Sequence, residues 1–297
     1  MVAPFKSAPE LKKNSQKRLQ YIEIMAFYTG LVTRSDVASS FGISDAAATK
    51  DLKLYNQLAP DNLLYKHGVF GFVPTNQFVA MFADLSPSKV LPMMAANLAV
   101  SAETLAEDST VYGVPMEMIP LPLRLPSAGV CAQIVRAAKQ GKQLQVNYHS
   151  LSGHEGSETR LIEPHALINS GLRWHVRAYS HNRYDFRDYV LSRFVDASML
   201  DTVAESSPDY DDDWVEMLTL KLSPHPKLDA HKQQSLIIDY KAEDNIIELE
   251  VRRALVGYVL QRLSVDTTAD HSMNPDAYHL IIINRDEIEP FAGWAFL

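Results

Sequence analysis

The chain has 297 residues, a formal net charge of −8, 46% hydrophobic residues and one cysteine, Cys131. This length predicts about two or three domains, and the ordinary apolar fraction excludes global disorder. A single cysteine excludes an intrachain disulfide. No apolar run approaches the roughly 20 residues of a membrane-spanning helix, and the first residues lack the apolar core of a signal peptide. We therefore expect a cytoplasmic protein without membrane contact.

Charge is distributed unevenly along the chain. Residues 1–66 and 127–200 each carry a net charge of +3, whereas residues 201–297 carry −11. Anionic ligands are therefore expected at the two basic blocks and not at the acidic C-terminal block. The overall acidity excludes indiscriminate coating of nucleic acid, but it allows one local contact surface.

The first basic block has the pattern of a helix-turn-helix. Residues 15–28 place apolar side chains at helical spacing, and Gly30 ends that helix. Thr33 is a suitable N-cap for a short second helix, Gly42 makes the next turn, and Ser44 caps a third helix. A short helix, a glycine turn and a capped helix in this order indicate a helix-turn-helix.

The third helix, over residues 45–58, has one apolar and one polar face. Its small and polar outward groups suit base edges, and its lysines suit phosphates. Residues 63–73 predict two strands around a His-Gly turn, so residues 1–74 are predicted to form a winged helix-turn-helix DNA-binding domain. The predicted DNA-contacting residues are Arg34, Ser44, Ala46, Thr49, Lys50, Lys53, Asn56, Lys66 and His67. The alternative is a plain three-helix scaffold with a solvated polar face.

Residues 75–126 are rich in proline and predict a helical and extended connector. Helices are expected at 75–84 and 87–106, whereas VPMEMIPLPLRLP at 114–126 cannot form a regular helix. This arm is too apolar for a free linker, so it packs against either a dimer partner or its own chain. A homodimer suits a helix-turn-helix protein, because an inverted-repeat operator in double-stranded DNA needs two recognition helices.

Residues 127–200 predict one helix, at 127–140, followed by several short strands. Several short strands in succession imply a small barrel or a curled sheet. The predicted strands are 143–150, 159–168, 172–180 and 186–194.

The third of these strands has two different faces. One face is apolar and is expected in the core; it carries Trp174, Val176 and Ala178. The other face carries Arg173, His175, Arg177 and Tyr179. Neighbouring cationic groups repel one another unless an anion binds among them, so this face is a candidate anion site.

The segment GLRWHVRAYSHNRYDFRDYVLSRF at 171–194, preceded by LIEPHALI at 161–168, resembles the signature of WYL-domain transcriptional regulators. Trp174-His175-Val176 occupies the position of the Trp-Tyr-Leu that names the domain, with His and Val as departures. The resemblance covers roughly residues 15–297. In detail the chain is most similar to the regulators associated with bacterial anti-phage islands, of the BrxR and CapW kind.

The resemblance implies a five-stranded Sm-like or SH3-like β-barrel whose basic pocket binds a nucleotide or nucleic-acid fragment and thereby alters DNA binding. The residues carried over to this pocket are Tyr148, Ser150, Arg173, His175, Arg177, Arg187 and Arg193. Guanidinium groups would bind phosphate bidentately, and a His or Tyr would stack on a base. Alternatively, Arg187 and Arg193 form surface ion pairs. No cofactor and no metal are expected, because the histidines lack compact ligand spacing.

Residues 201–297 predict a further domain with the element order β-α-β-β-α-β, which is typical of a ferredoxin-like unit. In this interpretation 235–242 (SLIIDYKA) and 246–253 (IIELEVRR) are consecutive strands. A C-terminal unit of this kind agrees with the family resemblance and implies a role in dimer contact or in gating the pocket. The whole chain is thus predicted to be an α+β multidomain protein divided at 1–74, 75–126, 127–200 and 201–297.

The sequence contains none of the common phosphate-loop, dinucleotide, metalloprotease or nucleophile-elbow motifs. We therefore predict a sequence-specific, dimeric DNA-binding regulator, a repressor of a phage-defence locus, controlled by an anionic nucleotide-like effector, and not an enzyme. The alternative is a nucleic-acid- or nucleotide-processing enzyme with His175 as general base. A third possibility is an adaptor whose nucleic-acid binding is unaffected by any ligand.

Overall fold

The computed structural model describes residues 13–93, 110–111, 114–115, 119, 121–122, 124–151 and 158–296. The chain divides into two compact units, Met1–Pro120 and Leu121–Leu297. Among the described residues, none of the helices combines the length and the apolar composition that crossing a membrane requires.

Residues 13–74 of the first unit form three helices and a two-stranded hairpin, as predicted. These elements are α1 (Lys13–Thr29), α2 (Arg34–Phe41), α3 (Asp45–Leu58), β1 (Leu63–Lys66) and β2 (Gly71–Pro74). The strands β1 and β2 are antiparallel, with Leu63 opposite Pro74 and Lys66 opposite Gly71. The winged-helix prediction for this part of the chain is therefore confirmed.

Local sequence signals account for the helix boundaries in this unit. Thr33 and Asp36 form a reciprocal capping box at the start of α2. Gly42 ends α2 with a φ of 60°, a left-handed conformation that glycine adopts without strain. The Ser44 side chain accepts a hydrogen bond from the Ala47 amide and begins α3. These signals lie within a few positions of the residues they order, so they are legible in the sequence.

The segment predicted to be helical at 75–84 is irregular. Its backbone amides bond to side chains of other elements: the Glu23 carboxylate accepts from Met81, Phe82 and Ala83 at 2.7–2.8 Å. Glu23 is fully buried in α1 and also accepts a hydrogen bond from the Tyr55 hydroxyl at 3.0 Å. Burial raises the pKa of Glu23, and these hydrogen bonds oppose that rise. One buried carboxylate thus accepts three backbone hydrogen bonds that would run within the segment if it were helical.

Only part of the predicted connector lies within the described residues. Residues 87–93 are helical and form α4, as far as the described part extends. The short strands β3 (Thr110–Val111) and β4 (Val114–Pro115) pair with each other. The remainder of the predicted 87–106 helix lies outside the described residues, as do residues 116–118, 120 and 123 of the predicted 114–126 arm.

The second unit begins with one helix packed on a five-stranded antiparallel sheet of order β8-β7-β6-β5-β9. These elements are α5 (Ala128–Gln140), β5 (Lys142–Tyr148), β6 (Glu158–Asn169), β7 (Trp174–Ser180), β8 (Asp185–Val190) and β9 (Phe194–Val203). The outer strands β8 and β9 form no ladder with each other in the described part of the chain. A sheet is therefore found where the family resemblance implied a closed barrel.

The C-terminal part of this unit forms a second, four-stranded sheet of order β11-β10-β13-β12. Its elements are α6 (Asp212–Val215), β10 (Met217–Pro224), α7 (Ala230–Tyr240), β11 (Ile247–Arg252), α8 (Val256–Arg262), β12 (Val265–Asp266), β13 (Leu280–Ile282) and α9 (Arg285–Ala292). The strand predicted at 235–242 is wrong, because most of it belongs to α7. The Asp229 side chain caps that helix, and Lys241 ends it in a left-handed conformation. The resulting order is β-α-β-α-β-β followed by α9, which differs from the predicted β-α-β-β-α-β.

Candidate nucleic-acid interface and anion site

The predicted recognition helix α3 has the two faces expected of it. Its inner face is buried through Ala48, Leu52 and Tyr55. Its outer face exposes Ala46, Lys50 and Lys53, while Thr49 and Asn56 are half-buried. The exposed face therefore combines a small side chain that allows close approach with two lysine ammonium groups.

The other predicted DNA contacts lie around the ends of α3 and on the wing. Arg34 is exposed and lies 3.2 Å from the Asp45 carboxylate. The Ser44 hydroxyl is engaged as the N-cap of α3, which leaves it a local structural role. Lys66 and His67 are exposed at the hairpin turn. These positions keep the predicted cations on one accessible part of the unit.

A cleft of about 550 Å³ separates the helix-turn-helix from the wing. Its lining combines hydroxyl, cationic and aromatic side chains, among them Arg34, Thr49, Lys53, Tyr65, Phe70 and Phe72. Gly71 allows β2 to approach the turn before α2, since a Cβ at this position would lie 2.7 Å from the Leu31 side chain. The wing strand β2 thus packs closely against residues 31–33.

Arg177, predicted to bind an anion, is buried between the protein's own carboxylates. Its Nε and Nη2 donate to the two Asp211 oxygens at 2.7 Å each, and Nη1 donates to Asp188 Oδ1 at 3.3 Å. Asp211 also accepts a hydrogen bond from His165 Nε2 at 2.9 Å. Burial alone would raise the pKa of Asp211, but the Arg177 guanidinium outweighs it and lowers that pKa. The Arg177 guanidinium is therefore already neutralised by carboxylates, which does not support its prediction as an anion ligand.

His175, on β7, links Arg173 to the C-terminal part of the unit. Arg173 Nε lies 3.3 Å from His175 Nε2, and the Tyr258 hydroxyl lies 3.0 Å from His175 Nδ1. The same hydroxyl donates to Asp188 Oδ2 at 2.9 Å. Burial, together with the charges of Arg173 and Arg193, lowers the pKa of His175 to about 4.

These contacts assign one protonation state to His175. An arginine can only donate, so Nε2 accepts and the proton of the neutral ring lies on Nδ1. Nδ1 then donates to the Tyr258 hydroxyl, which in turn donates to Asp188. A general base needs an available lone pair and a pKa near the working pH, and His175 has neither. The geometry therefore does not favour the enzyme alternative.

Arg173 and Arg193 are the predicted cations that keep their charge available. Within the described residues neither has a carboxylate within ion-pair distance, and both act on the pKa of His175. Arg173 lines a cavity of about 190 Å³ that it shares with Arg124, Ser170 and Tyr258. These side chains bring two guanidinium groups, a serine hydroxyl and an aromatic ring to one concave site.

The remaining predicted ligand residues lie elsewhere. Tyr148 is buried in the core, where its hydroxyl accepts a hydrogen bond from the Val190 amide at 3.0 Å. Arg187 is exposed and pairs with Asp185 at 3.4 Å, in agreement with the ion-pair alternative. Ser150 is half-buried near the end of a described stretch. Trp174, expected in the core, remains 39% exposed beside an apolar groove of about 280 Å³.

Sequence reasoning missed Tyr258, Asp211 and Arg124 as parts of this site. Tyr258 lies on α8 and Asp211 is the N-cap of α6, so both lie outside the 127–200 block in which the sequence predicts the site. Arg124, in the proline-rich arm, is the one cation of that stretch, and its isolation among apolar residues is a signal that could have identified it.

Family models match each part of this architecture. The BrxR transcriptional regulator winged helix-turn-helix domain matches residues 14–96, the WYL domain matches residues 129–199, and the BrxR transcriptional regulator C-terminal dimerization domain matches residues 217–288. A winged helix followed by a WYL domain and a dimerization domain defines a class of transcriptional regulators.

Similar proteins extend over nearly the whole chain. The DNA-binding transcriptional repressor CapW of Escherichia coli (strain KTE188) is 33% identical over 92% of this chain and 90% of its own length. The protein of the same name from Pseudomonas aeruginosa is 32% identical over 92% of this chain and 90% of its own length. The chain therefore belongs to the BrxR and CapW family of WYL-domain regulators.

A solved structure, the proteasome accessory factor B/C (PafBC) of Arthrobacter aurescens, aligns with 99% of this chain at 17% sequence identity. The chain spans about half of that protein, 52%, and the TM-score is 0.27.

Proposed function

We propose that this protein is a sequence-specific, homodimeric repressor that binds an inverted repeat in double-stranded DNA. The observation that carries the proposal is the exposed Ala46–Lys50–Lys53 face of a capped helix beside a wing. The repressor relatives and the match to a dimerization domain support it. The family resemblance further supports a phage-defence locus as the controlled target. We also propose that the domains are divided at 1–74, 75–126, 127–200 and 201–297.

Replacing both Lys50 and Lys53 with alanine is expected to weaken operator binding and to flatten its salt dependence. Each lysine that neutralises a phosphate contributes about 0.9 to the slope of log K against log salt concentration, so the double variant should lose about 1.8. Fluorescence anisotropy with a labelled duplex from the gene's upstream region, titrated at several salt concentrations, measures this slope.

Lys89→Ala is the matched control, since it removes one exposed lysine of the same unit away from α3. It should leave the slope within about 0.3 of wild type, because no phosphate contact is lost. An unchanged slope in the Lys50 and Lys53 variant would remove this face from the interface. Equal affinity of the wild-type protein for upstream and random duplexes would overturn the repressor proposal itself.

We propose in addition that an anionic, nucleotide-like effector binds at Arg173, with Arg193 and Arg124 supplying further positive charge. The support is the absence of carboxylate partners for Arg173 and Arg193 among the described residues and the cavity that Arg173 lines. The Tyr258 ring in that cavity is suited to stacking against a base. Arg177 and Tyr148 are omitted from this site because carboxylates and core packing already engage them.

Arg173→Ala is expected to reduce binding of a 5′-phosphorylated dinucleotide at least tenfold, because a charge-assisted bidentate contact is lost. Isothermal titration of the full-length protein measures this affinity. Arg187→Ala, which removes an exposed arginine already paired with Asp185, should bind the probe like wild type. Equal losses in both variants, or no loss in either, would show that Arg173 does not define a specific site.

A further inference from the structure

The wing ends in an aromatic side chain that the fold leaves uncovered. Phe70 follows the 3₁₀ turn His67–Val69 at the tip between β1 and β2, and it is 79% exposed. The neighbouring Val69 is 47% exposed. This apolar tip lines the cleft that faces the recognition helix. Two exposed apolar side chains that line a cleft beside the recognition helix make this tip a candidate contact surface.

Phe70 also has a backbone conformation that is unfavourable for its type. Its φ of 50° lies in the left-handed region, which costs free energy for a bulky side chain and which glycine would adopt freely. Neither the unfavourable φ nor the exposed ring stabilises the fold. An outlier of this kind, at an element already next to a binding surface, supports a functional role for the ring.

The charges around the tip identify the occupant as a polyanion. Lys66 and His67 are exposed at the end of β1 and in the following turn, and Arg34 and Lys53 line the same cleft as Phe70. A protein or lipid partner could accept the apolar tip, but a duplex accepts the apolar tip, these cations and the polar face of α3 together. The cleft between α3 and the wing suits one sugar–phosphate strand, with a groove of the duplex on either side of it.

We propose that Phe70 is a wedge that enters the minor groove beside the major groove occupied by α3, unstacks one base step and bends the operator. Apolar side chains that insert in this way kink the duplex and select steps that unstack easily. Phe70 would thus contribute specificity at a position where no side chain hydrogen-bonds to a base. This inference rests on the proposed DNA-binding function and adds to it a second determinant of sequence preference.

Energy transfer between dyes at the two ends of the bound upstream duplex tests the wedge, because a bend shortens the end-to-end distance. Phe70→Gly should lose most of the bend and at least tenfold in affinity while keeping the wild-type salt slope, since no phosphate contact is removed. Its melting temperature should be unchanged or higher, because glycine relieves the strained φ. Leu64→Ala, on the same hairpin but outside the cleft lining, should bend DNA like wild type.

Unstacking is tested directly with 2-aminopurine placed at successive positions of the duplex. Wild-type protein should raise its fluorescence at one step in each half-site, and Phe70→Gly should abolish that rise. A wild-type complex that leaves the duplex straight, a Phe70→Gly complex as bent as wild type, or an equal loss of bend in Leu64→Ala would overturn the wedge while leaving the repressor proposal intact. Absence of preferential binding by wild type would overturn both.

Discussion

Arg177→Ala is expected to lower the free energy of unfolding of the Leu121–Leu297 unit by about 3–5 kcal/mol. Removing one partner of a buried ion pair leaves the other charge uncompensated, and that cost exceeds the loss of the contact itself. The Arg177 side chain is 6% exposed and its partner Asp211 is 1% exposed, so water cannot replace the guanidinium. His165 also loses the charge balance around its hydrogen-bond acceptor.

Urea unfolding followed by tryptophan fluorescence measures this loss, because all three tryptophans, Trp174, Trp214 and Trp294, lie in this unit. Arg187→Ala is the control, since an exposed ion pair contributes about 0–1 kcal/mol and its removal should change little. A fully stable Arg177→Ala protein would show that Asp211 and Asp188 find other partners. It would also restore Arg177 as a candidate anion ligand.

Glu23→Ala is expected to destabilise the Met1–Pro120 unit by at least about 3 kcal/mol. The substitution leaves the amides of Met81, Phe82 and Ala83 without their acceptor, and each buried unsatisfied donor costs about 1–3 kcal/mol. The segment that these amides belong to should detach from α1, and operator binding should weaken as the fold is lost.

Hydrogen exchange at those three amides measures the local effect, because their protection should disappear before the rest of the unit opens. Asp61→Ala removes an exposed carboxylate from the same unit and should leave exchange unchanged. Glu23→Gln keeps an acceptor oxygen and should fall between the two. Retained protection in Glu23→Ala would mean that the segment is held by its apolar contacts, such as those of Phe82, and not by the carboxylate.

The buried network around Arg177 and His175 joins the WYL sheet to the C-terminal part of the unit. Asp211 and Tyr258 lie outside the residues that match the WYL domain, and they hydrogen-bond to Arg177 and His175 on strand β7. The sequence predicts an open cationic face on this strand, but Asp211 and Tyr258 cover most of it. What remains accessible for an anion is its end, at Arg173 and the cavity beside it.

Only part of the proposed anion site can be predicted from the sequence. The two-residue period of a strand correctly places His175 and Arg177 on one side of β7, and Arg173, directly before the strand, lies 3.3 Å from His175. It cannot show that Asp211, 34 positions away, lies against Arg177. The expected burial of Trp174 failed for a related reason, because strand position alone does not determine which end of a strand the neighbouring elements cover.

Elements that depend on local interactions can be predicted from the sequence alone. The Thr33–Asp36 capping box, the Gly42 turn and the Ser44 cap define the helix-turn-helix, because their hydrogen bonds join residues only a few positions apart. Three other features depend on the tertiary structure: the partners of the buried charges, the lack of a ladder between β8 and β9 among the described residues, and the helical state of residues 235–240. Each of these depends on residues that are distant in the chain and become neighbours only when the core forms, so a local pattern carries no record of them.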